Sequence, residues 1–83
     1  MHIVAIHDIR EAGVFWQRIQ TKPVPEGARL LQVLPDQAGT KVVCLWEAPH
    51  LEQIRDLVED TVGDVSDNEL FVVNPEDARG VPG

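Results

Sequence analysis

The chain has 83 residues, a single cysteine and a formal net charge of −7, with 43% hydrophobic and 25% charged residues. This length and composition are typical of one globular domain with a modest core. One cysteine excludes a disulfide within the chain and favours a reducing, cytoplasmic compartment. The few basic residues are scattered, which argues against nucleic acid and anionic membranes as partners. No apolar run approaches the roughly 20 residues that span a bilayer, and the N-terminus lacks a signal-peptide pattern.

Four segments have the pattern of β-strands and two that of α-helices. Residues 2–9 alternate and are rich in β-branched side chains, which predicts the first strand. Apolar residues recur at helical spacing in residues 10–21 and again in residues 49–62, which predicts two helices. The remaining strands are predicted at residues 28–34, 40–47 and 68–74, with a hairpin loop at residues 35–39.

The order strand, helix, strand, strand, helix, strand predicts a ferredoxin-like α+β domain over residues 1–74, with an extended tail at residues 75–83. Two helices cover only one face of a four-stranded, antiparallel-type sheet, yet the sequence places apolar residues on both faces. Exposed apolar patches of several hundred Å² are rare on monomers. We therefore expect a second copy to cover the free face, which gives a homodimer of the dimeric α+β barrel type or a higher homo-oligomer.

Alternation along the strands predicts the composition of the two faces. One is uniformly apolar and contains Val4, Ile6, Leu31, Val33, Val43 and Leu45. The other mixes apolar and polar side chains and contains Ile3, Ala5, Leu30, Leu34, Val42, Trp46, Phe71 and Val73, with His7, Gln32 and Cys44. The polar groups suggest that the mixed face is the uncovered one and that a cavity between two sheets holds a small hydrophobic ligand. The candidate ligand-binding residues are His7, Gln32, Cys44 and Trp46, with Glu69 at the mouth.

A second prediction concerns one edge of the sheet. We expect the first and third strands to be central and parallel, so that their carboxyl ends meet. The side chains expected at that edge are His7, Asp8, Arg29, Glu47, His50, Asp64, Asn68 and Glu69. A near-neutral pKa suits His7 to act as a general base or a metal ligand. The candidate ligands for a divalent transition metal, nickel or zinc, are His7, Asp8, Glu47, His50 and Asp64.

Each candidate also has a structural alternative. His7 could be a hydrogen-bonded histidine at an interface, and Asp8 could cap the first helix. Glu47 could form an ion pair, and Trp46 could be an aromatic anchor in the dimer. Cys44 has no cationic neighbour in sequence that would activate it, so a buried thiol is the alternative.

Residues 38–49 read AGTKVVCLWEAP. The AGT run, followed by hydrophobic residues and the pattern C-L-x-E-x-P, resembles small nickel-binding ferredoxin-like proteins. The resemblance extends to the strand that ends in His7 and Asp8 and to residues 62–69. It implies a ferredoxin-like dimer that binds metal through histidines in some members. Those members carry histidines where this chain has Asp8 and Asp64, and nickel prefers imidazole nitrogen.

Three functions remain open at this point. The first, which we favour, is a module that binds a metal ion or a small ligand at the sheet edge or in the intersubunit cavity. The second is a small cofactor-free enzyme, monooxygenase-like or isomerase-like, with His7 as general base, by analogy of fold. The third is a purely structural dimer module. The chain has no phosphate-binding glycine loop, Cys-x-x-Cys, His-Glu-x-x-His or nucleophile elbow, which argues against nucleotide enzymes, zinc fingers and hydrolases.

Overall fold

A computed structural model describes residues 1–81 of the chain. Its elements, in order, are β1 (His2–Ile9), α1 (Ala12–Thr21), β2 (Arg29–Pro35), β3 (Lys41–Glu47), α2 (Leu51–Val62) and β4 (Ser66–Val72). The strands form one sheet in the order β2-β3-β1-β4, and every neighbouring pair is antiparallel. The predicted ferredoxin-like α+β fold is therefore confirmed. Within residues 1–81, neither helix has the length and apolar character needed to cross a bilayer.

The hydrophobic core lies between one face of the sheet and the two helices. Phe15 is the buried residue of α1, while α2 buries Ile54, Val58 and Val62 at helical spacing. Burial of a side chain of this size contributes about 1.5–3 kcal/mol. The sheet supplies the facing layer, which contains Ile3, Ala5, Val42, Cys44 and Trp46.

The two central strands, β1 and β3, are antiparallel, so the expectation that they are parallel is wrong. The hairpin between β2 and β3 reverses the chain, and Asp36 closes that turn by accepting backbone hydrogen bonds. As a result, His2 lies opposite Glu47 and Asp8 lies opposite Lys41. The carboxyl ends of β1 and β3 are at opposite edges of the sheet, and the predicted gathering of side chains at one edge does not form.

The helices cover the face that carries His7, Cys44 and Trp46, which are 3%, 5% and 7% exposed. Alternation grouped these three residues correctly, but the prediction that their face is uncovered is wrong. The physical reason is that His7 has a hydrogen-bond partner on β4, Asn68, which allows a polar ring to be buried among apolar side chains.

Gln32 lies on the opposite side of the sheet from those three residues. The register of β2 against β3 shifts between Leu30 and Gln32, so that Leu31 is an extra residue and Gln32 pairs with Leu45. A bulge of this kind reverses the side-chain alternation of the strand beyond it. The prediction that Gln32 lies beside Cys44 is therefore wrong.

The side of the sheet that neither helix covers is called the open face below. The registers place these residues on it: Val4, Ile6, Gln32, Leu34, Val43, Leu45, Glu69 and Phe71. Leu34 is 57% exposed and Phe71 is 44% exposed. The open face is thus largely apolar. The prediction that Leu34 and Phe71 share a face with His7 is wrong, since they lie opposite Val43 and Val4.

The tail begins with a turn rather than with extended chain. The backbone N–H of Ala78 donates to the carbonyl of Asn74, and that of Glu76 donates to Asn74 Oδ1. Residues 78–81 then line a cleft together with Met1, His2 and the end of β4. The rest of the expected tail, residues 82–83, lies outside the described residues.

Candidate functional site

A cavity of about 70 Å³ lies between the sheet and the two helices. Three of its lining residues, Lys22, Val24 and Leu30, are exposed, which places its mouth between the end of α1 and the edge strand β2. The interior is mainly apolar and is lined by His7, Phe15, Ile19, Cys44, Trp46, Leu57, Val58, Thr61 and Val62. Three of the five residues predicted to bind a ligand are therefore brought together around one cavity, within a single chain.

His7 is held in the cavity wall by contacts from two elements. Its Nδ1 atom lies 2.6 Å from Oδ1 of Asn68, the residue opposite it on β4. The Phe15 ring of α1 packs against the imidazole with a centroid separation of 5.4 Å. Burial lowers the pKa of His7 below its ordinary value of 6.5. It outweighs the hydrogen bond to Asn68 and the charge of Glu59, which both raise the pKa. The imidazole is therefore neutral at pH 7.

Cys44 forms part of the cavity wall between His7 and Trp46, and it lies opposite Ala5 on β1. Burial raises the pKa of its thiol to about 11. The thiol is therefore protonated at neutral pH, whereas a nucleophilic cysteine needs a lowered pKa. With no ionised thiol beside it, His7 is the one group in this cavity wall suited to accept a proton.

Trp46 also lines the cavity, and its indole Nε1–H has no hydrogen-bond partner among residues 1–81. Trp16 differs, because its Nε1–H donates to the carbonyl of Gly39 at 3.1 Å. Buried indole N–H groups usually find a partner, and an unpaired buried donor costs about 1–3 kcal/mol. The wall of the cavity thus holds an unused hydrogen-bond donor.

The other two candidate ligand-binding residues lie elsewhere. Gln32 is exposed and pairs with Leu45, and Glu69 is exposed and pairs with Ile6. Both belong to the open face, so they do not contact a molecule in the helix–sheet cavity.

Two of the candidate metal ligands, Asp64 and Glu47, are engaged in ion pairs. Asp64, after α2, accepts a hydrogen bond from Arg18 at 2.5 Å, and this contact lowers the pKa of the carboxyl group. Glu47 ends β3 and accepts a hydrogen bond from Arg29 at 2.6 Å, which lowers its pKa in the same way. For Glu47 this is the ion pairing that the sequence allowed as an alternative.

The five candidate metal ligands do not converge on one site. Asp8 is exposed at the end of β1, and His50 is exposed at the residue before α2. Across residues 1–81, no group of three or more His, Cys, Asp or Glu side chains is arranged to hold a metal ion. Binding of nickel or zinc by these side chains therefore stays a prediction.

Sequence patterns did not identify the residues that complete the cavity. Phe15 and Ile19 come from α1, and Leu57 and Thr61 come from α2. Their helical spacing was visible, but spacing alone indicates a core face and not a cavity. The role of Asn68 as the partner of His7 depends on the register of β4, which no local pattern specifies.

Comparison of the chain with protein-family models, with curated proteins and with solved structures finds no match. The resemblance to nickel-binding proteins therefore stays a prediction. The fold and the site define a ferredoxin-like α+β domain with a small apolar cavity between its helices and its sheet.

Proposed function

We propose that this chain is a small-molecule-binding module whose ligand is a small, largely apolar molecule. The observation that supports the proposal is the meeting of His7, Cys44 and Trp46 in the wall of one apolar cavity. Apolar concavities with a few polar groups are the usual form of small-molecule sites. The mouth beside Lys22 and Val24 gives such a molecule a route from solvent.

The module works as a homodimer in this proposal, with the open face as its interface. Leu34 and Phe71 expose more than two fifths of their surface there. Val4, Ile6 and Val43 continue the same apolar surface across the central strands. Apolar area of this kind supports self-association, since its burial is the main favourable term in the formation of most interfaces.

The ligand proposal is tested by fluorescence titration with toluene as the probe. The cavity of about 70 Å³ is smaller than the roughly 150 Å³ that encloses a benzene ring in a protein, so the probe would fill the mouth as well as the interior. The sequence has two tryptophans, Trp16 and Trp46, so the variant Trp16→Phe isolates the emission of Trp46. The substitution leaves the cavity lining intact, because Trp16 does not line the cavity. We expect toluene to change that emission with a saturable dependence on concentration. A phenylalanine at the mouth, in Val24→Phe, should weaken the effect, whereas Val72→Phe should not.

The two valines are a matched pair. Val24 is 45% exposed and Val72 is 44% exposed, but only Val24 lines the cavity. The proposal fails if toluene leaves the emission of Trp46 unchanged. It also fails if the two variants weaken the response equally.

A further inference from the structure

The contacts of Asn68 determine the orientation of its side-chain amide. Asn68 Nδ2 donates to the backbone carbonyl of Ser66 at 3.2 Å. The hydroxyl of Ser66 lies 2.8 Å from Asn68 Oδ1 and 2.9 Å from the carbonyl of Val62. That carbonyl already accepts from the N–H of Val65, so the single hydroxyl proton is available to Asn68 Oδ1. A backbone carbonyl can only accept a hydrogen bond, so the amide nitrogen must be the atom that faces it. The atom that faces His7 is therefore Oδ1.

This orientation determines the tautomer of His7. Asn68 Oδ1 is also only an acceptor, so His7 Nδ1, at 2.6 Å, must carry the proton. A neutral imidazole has one ring proton. The burial that lowers the pKa of His7 favours the neutral ring. His7 Nε2 is then an unprotonated acceptor.

His7 Nε2 has no hydrogen-bond partner among residues 1–81. It is not one of the buried unpaired atoms of the described chain, which are His2 Nε2, Trp46 Nε1 and Gln53 Oε1, so it is accessible to a molecule in the cavity. Thr61, another polar residue of the cavity wall, donates its hydroxyl to the carbonyl of Leu57 at 2.6 Å. The structure therefore presents an unused acceptor on a residue that lines the cavity.

We infer that the ligand of this cavity carries a hydroxyl or N–H group that donates a hydrogen bond to His7 Nε2. The ligand class is thus a small aryl or alkyl body with one donor, such as a phenol. This inference rests on the proposed function and specifies the chemistry of its ligand. Asn68 acts as a positioning residue, because it holds the ring in the tautomer that leaves Nε2 free.

The tautomer is measured directly by ¹⁵N NMR of the histidine ring in the whole chain. We expect Nδ1 of His7 to be protonated and Nε2 to be unprotonated at neutral pH. Asn68→Ala should shift the ring toward the Nε2–H form that dominates in free histidine. Asn68→Asp should keep Nδ1 protonated, because a carboxylate also only accepts, while its negative charge should also raise the pKa of the ring. A purely structural role for Asn68 would leave the tautomer unchanged, and an Nε2–H ring in the unmodified protein would overturn the inference.

Phenol and toluene test the chemistry of the ligand, because they are similar in size and only phenol has a hydrogen-bond donor. Affinities are taken from Trp46 emission in the Trp16→Phe background. Since the probes differ in their affinity for water, the quantity compared is the ratio of their dissociation constants. We expect His7→Leu to weaken the binding of phenol relative to that of toluene by about five- to tenfold. His50→Leu, which removes an exposed histidine outside the cavity, should leave the ratio unchanged.

The outcomes separate this inference from the proposed function. If both probes bind but His7→Leu leaves their ratio unchanged, the inference is overturned and the cavity proposal stands. If neither probe binds to the protein with His7 intact, the proposed function fails and the inference fails with it. The tautomer measurement needs no His7 variant. If His7→Leu does not fold, this measurement still tests whether His7 Nε2 is an unprotonated acceptor.

Discussion

Phe71 of β4 lies directly opposite Val4 of β1 on the open face of the sheet. Phe71 is 44% exposed, and the apolar surface continues onto β3 through Val43 and Leu45. Neither helix of the described chain covers this surface. The relationship between these two residues is the structural basis for the proposed dimer.

We expect light scattering to give a mass of about twice the 9.2 kDa of one chain. Val43→Lys should return the mass to that of one chain, because it would bury an unpaired charge at a cost of several kcal/mol. Val24→Lys introduces the same charge at the cavity mouth and should remain dimeric. A single-chain mass for the unmodified protein, at micromolar concentration, would contradict the dimer.

A charge on the other face should act differently. Val42 is fully buried under the helices, so Val42→Asp should unfold the chain and not merely dissociate it. Circular dichroism would distinguish the two variants, with helical signal kept in Val43→Lys and lost in Val42→Asp.

Stability should depend on pH through His7. Unfolded histidine titrates near 6.5, and the pKa of His7 in the folded chain is lower. Between these two values the unfolded chain binds more protons, so stability that is complete above pH 6.5 is lost as pH falls toward the folded pKa. Urea unfolding at pH values on both sides of 6.5 measures this slope.

The control for this slope is the exposed histidine before α2. His7→Gln should reduce the pH dependence in that window, and His50→Gln should retain it. The carboxylates of Glu47 and Asp64 also have lowered pKa values, but they lose their stabilising effect at lower pH, below their ordinary values of 4.5 and 3.8. Equal slopes for the two histidine variants would show that His7 is not the group responsible.

Cys44 should resist alkylation in the folded protein. Its thiol pKa of about 11 leaves little thiolate at neutral pH, and the thiolate is the reactive form. Iodoacetamide should therefore modify native Cys44 at least about a hundredfold more slowly than the urea-unfolded chain, whose thiol has an ordinary pKa near 8.5. Mass spectrometry over time measures both rates, and similar rates would contradict the burial of this thiol.

Nickel binding should be weak and should depend on pH. Residues 1–81 bring no three metal-binding side chains together, and imidazole must be neutral to bind, so binding should fade below about pH 6.5. We expect His50→Ala to reduce the affinity more than His7→Ala, because His50 is exposed and His7 is buried. Stoichiometric binding at micromolar Ni²⁺ in calorimetry would contradict this expectation.

Much of the fold could be predicted from local patterns. The alternation of β1 and β3 placed His7, Cys44 and Trp46 on one face because both strands are regular over their whole length. The direction of β3 also follows from the order of the elements. The crossover through α1 makes β2 run parallel to β1, and the tight hairpin then reverses the chain, so that β3 is antiparallel to β1.

The covered face could not be predicted from alternation alone. His7 suggested an exposed or mixed face because a lone imidazole is costly to bury. Asn68 removes that cost, but the pairing depends on the register of β4, which is set by contacts 61 residues apart in sequence. The bulge at Leu31 could not be predicted either, since no glycine or proline marks it in the sequence.

The most direct test of the central claim is the mapping of toluene contacts by intermolecular nuclear Overhauser effects. The cavity and the open face are both apolar, so the measurement must distinguish them residue by residue. We predict contacts from toluene protons to Phe15, Val58 and Trp46, and none to Val4 or Val43. Contacts confined to Val4 and Val43 would place the probe on the open face and would contradict a binding site between the helices and the sheet.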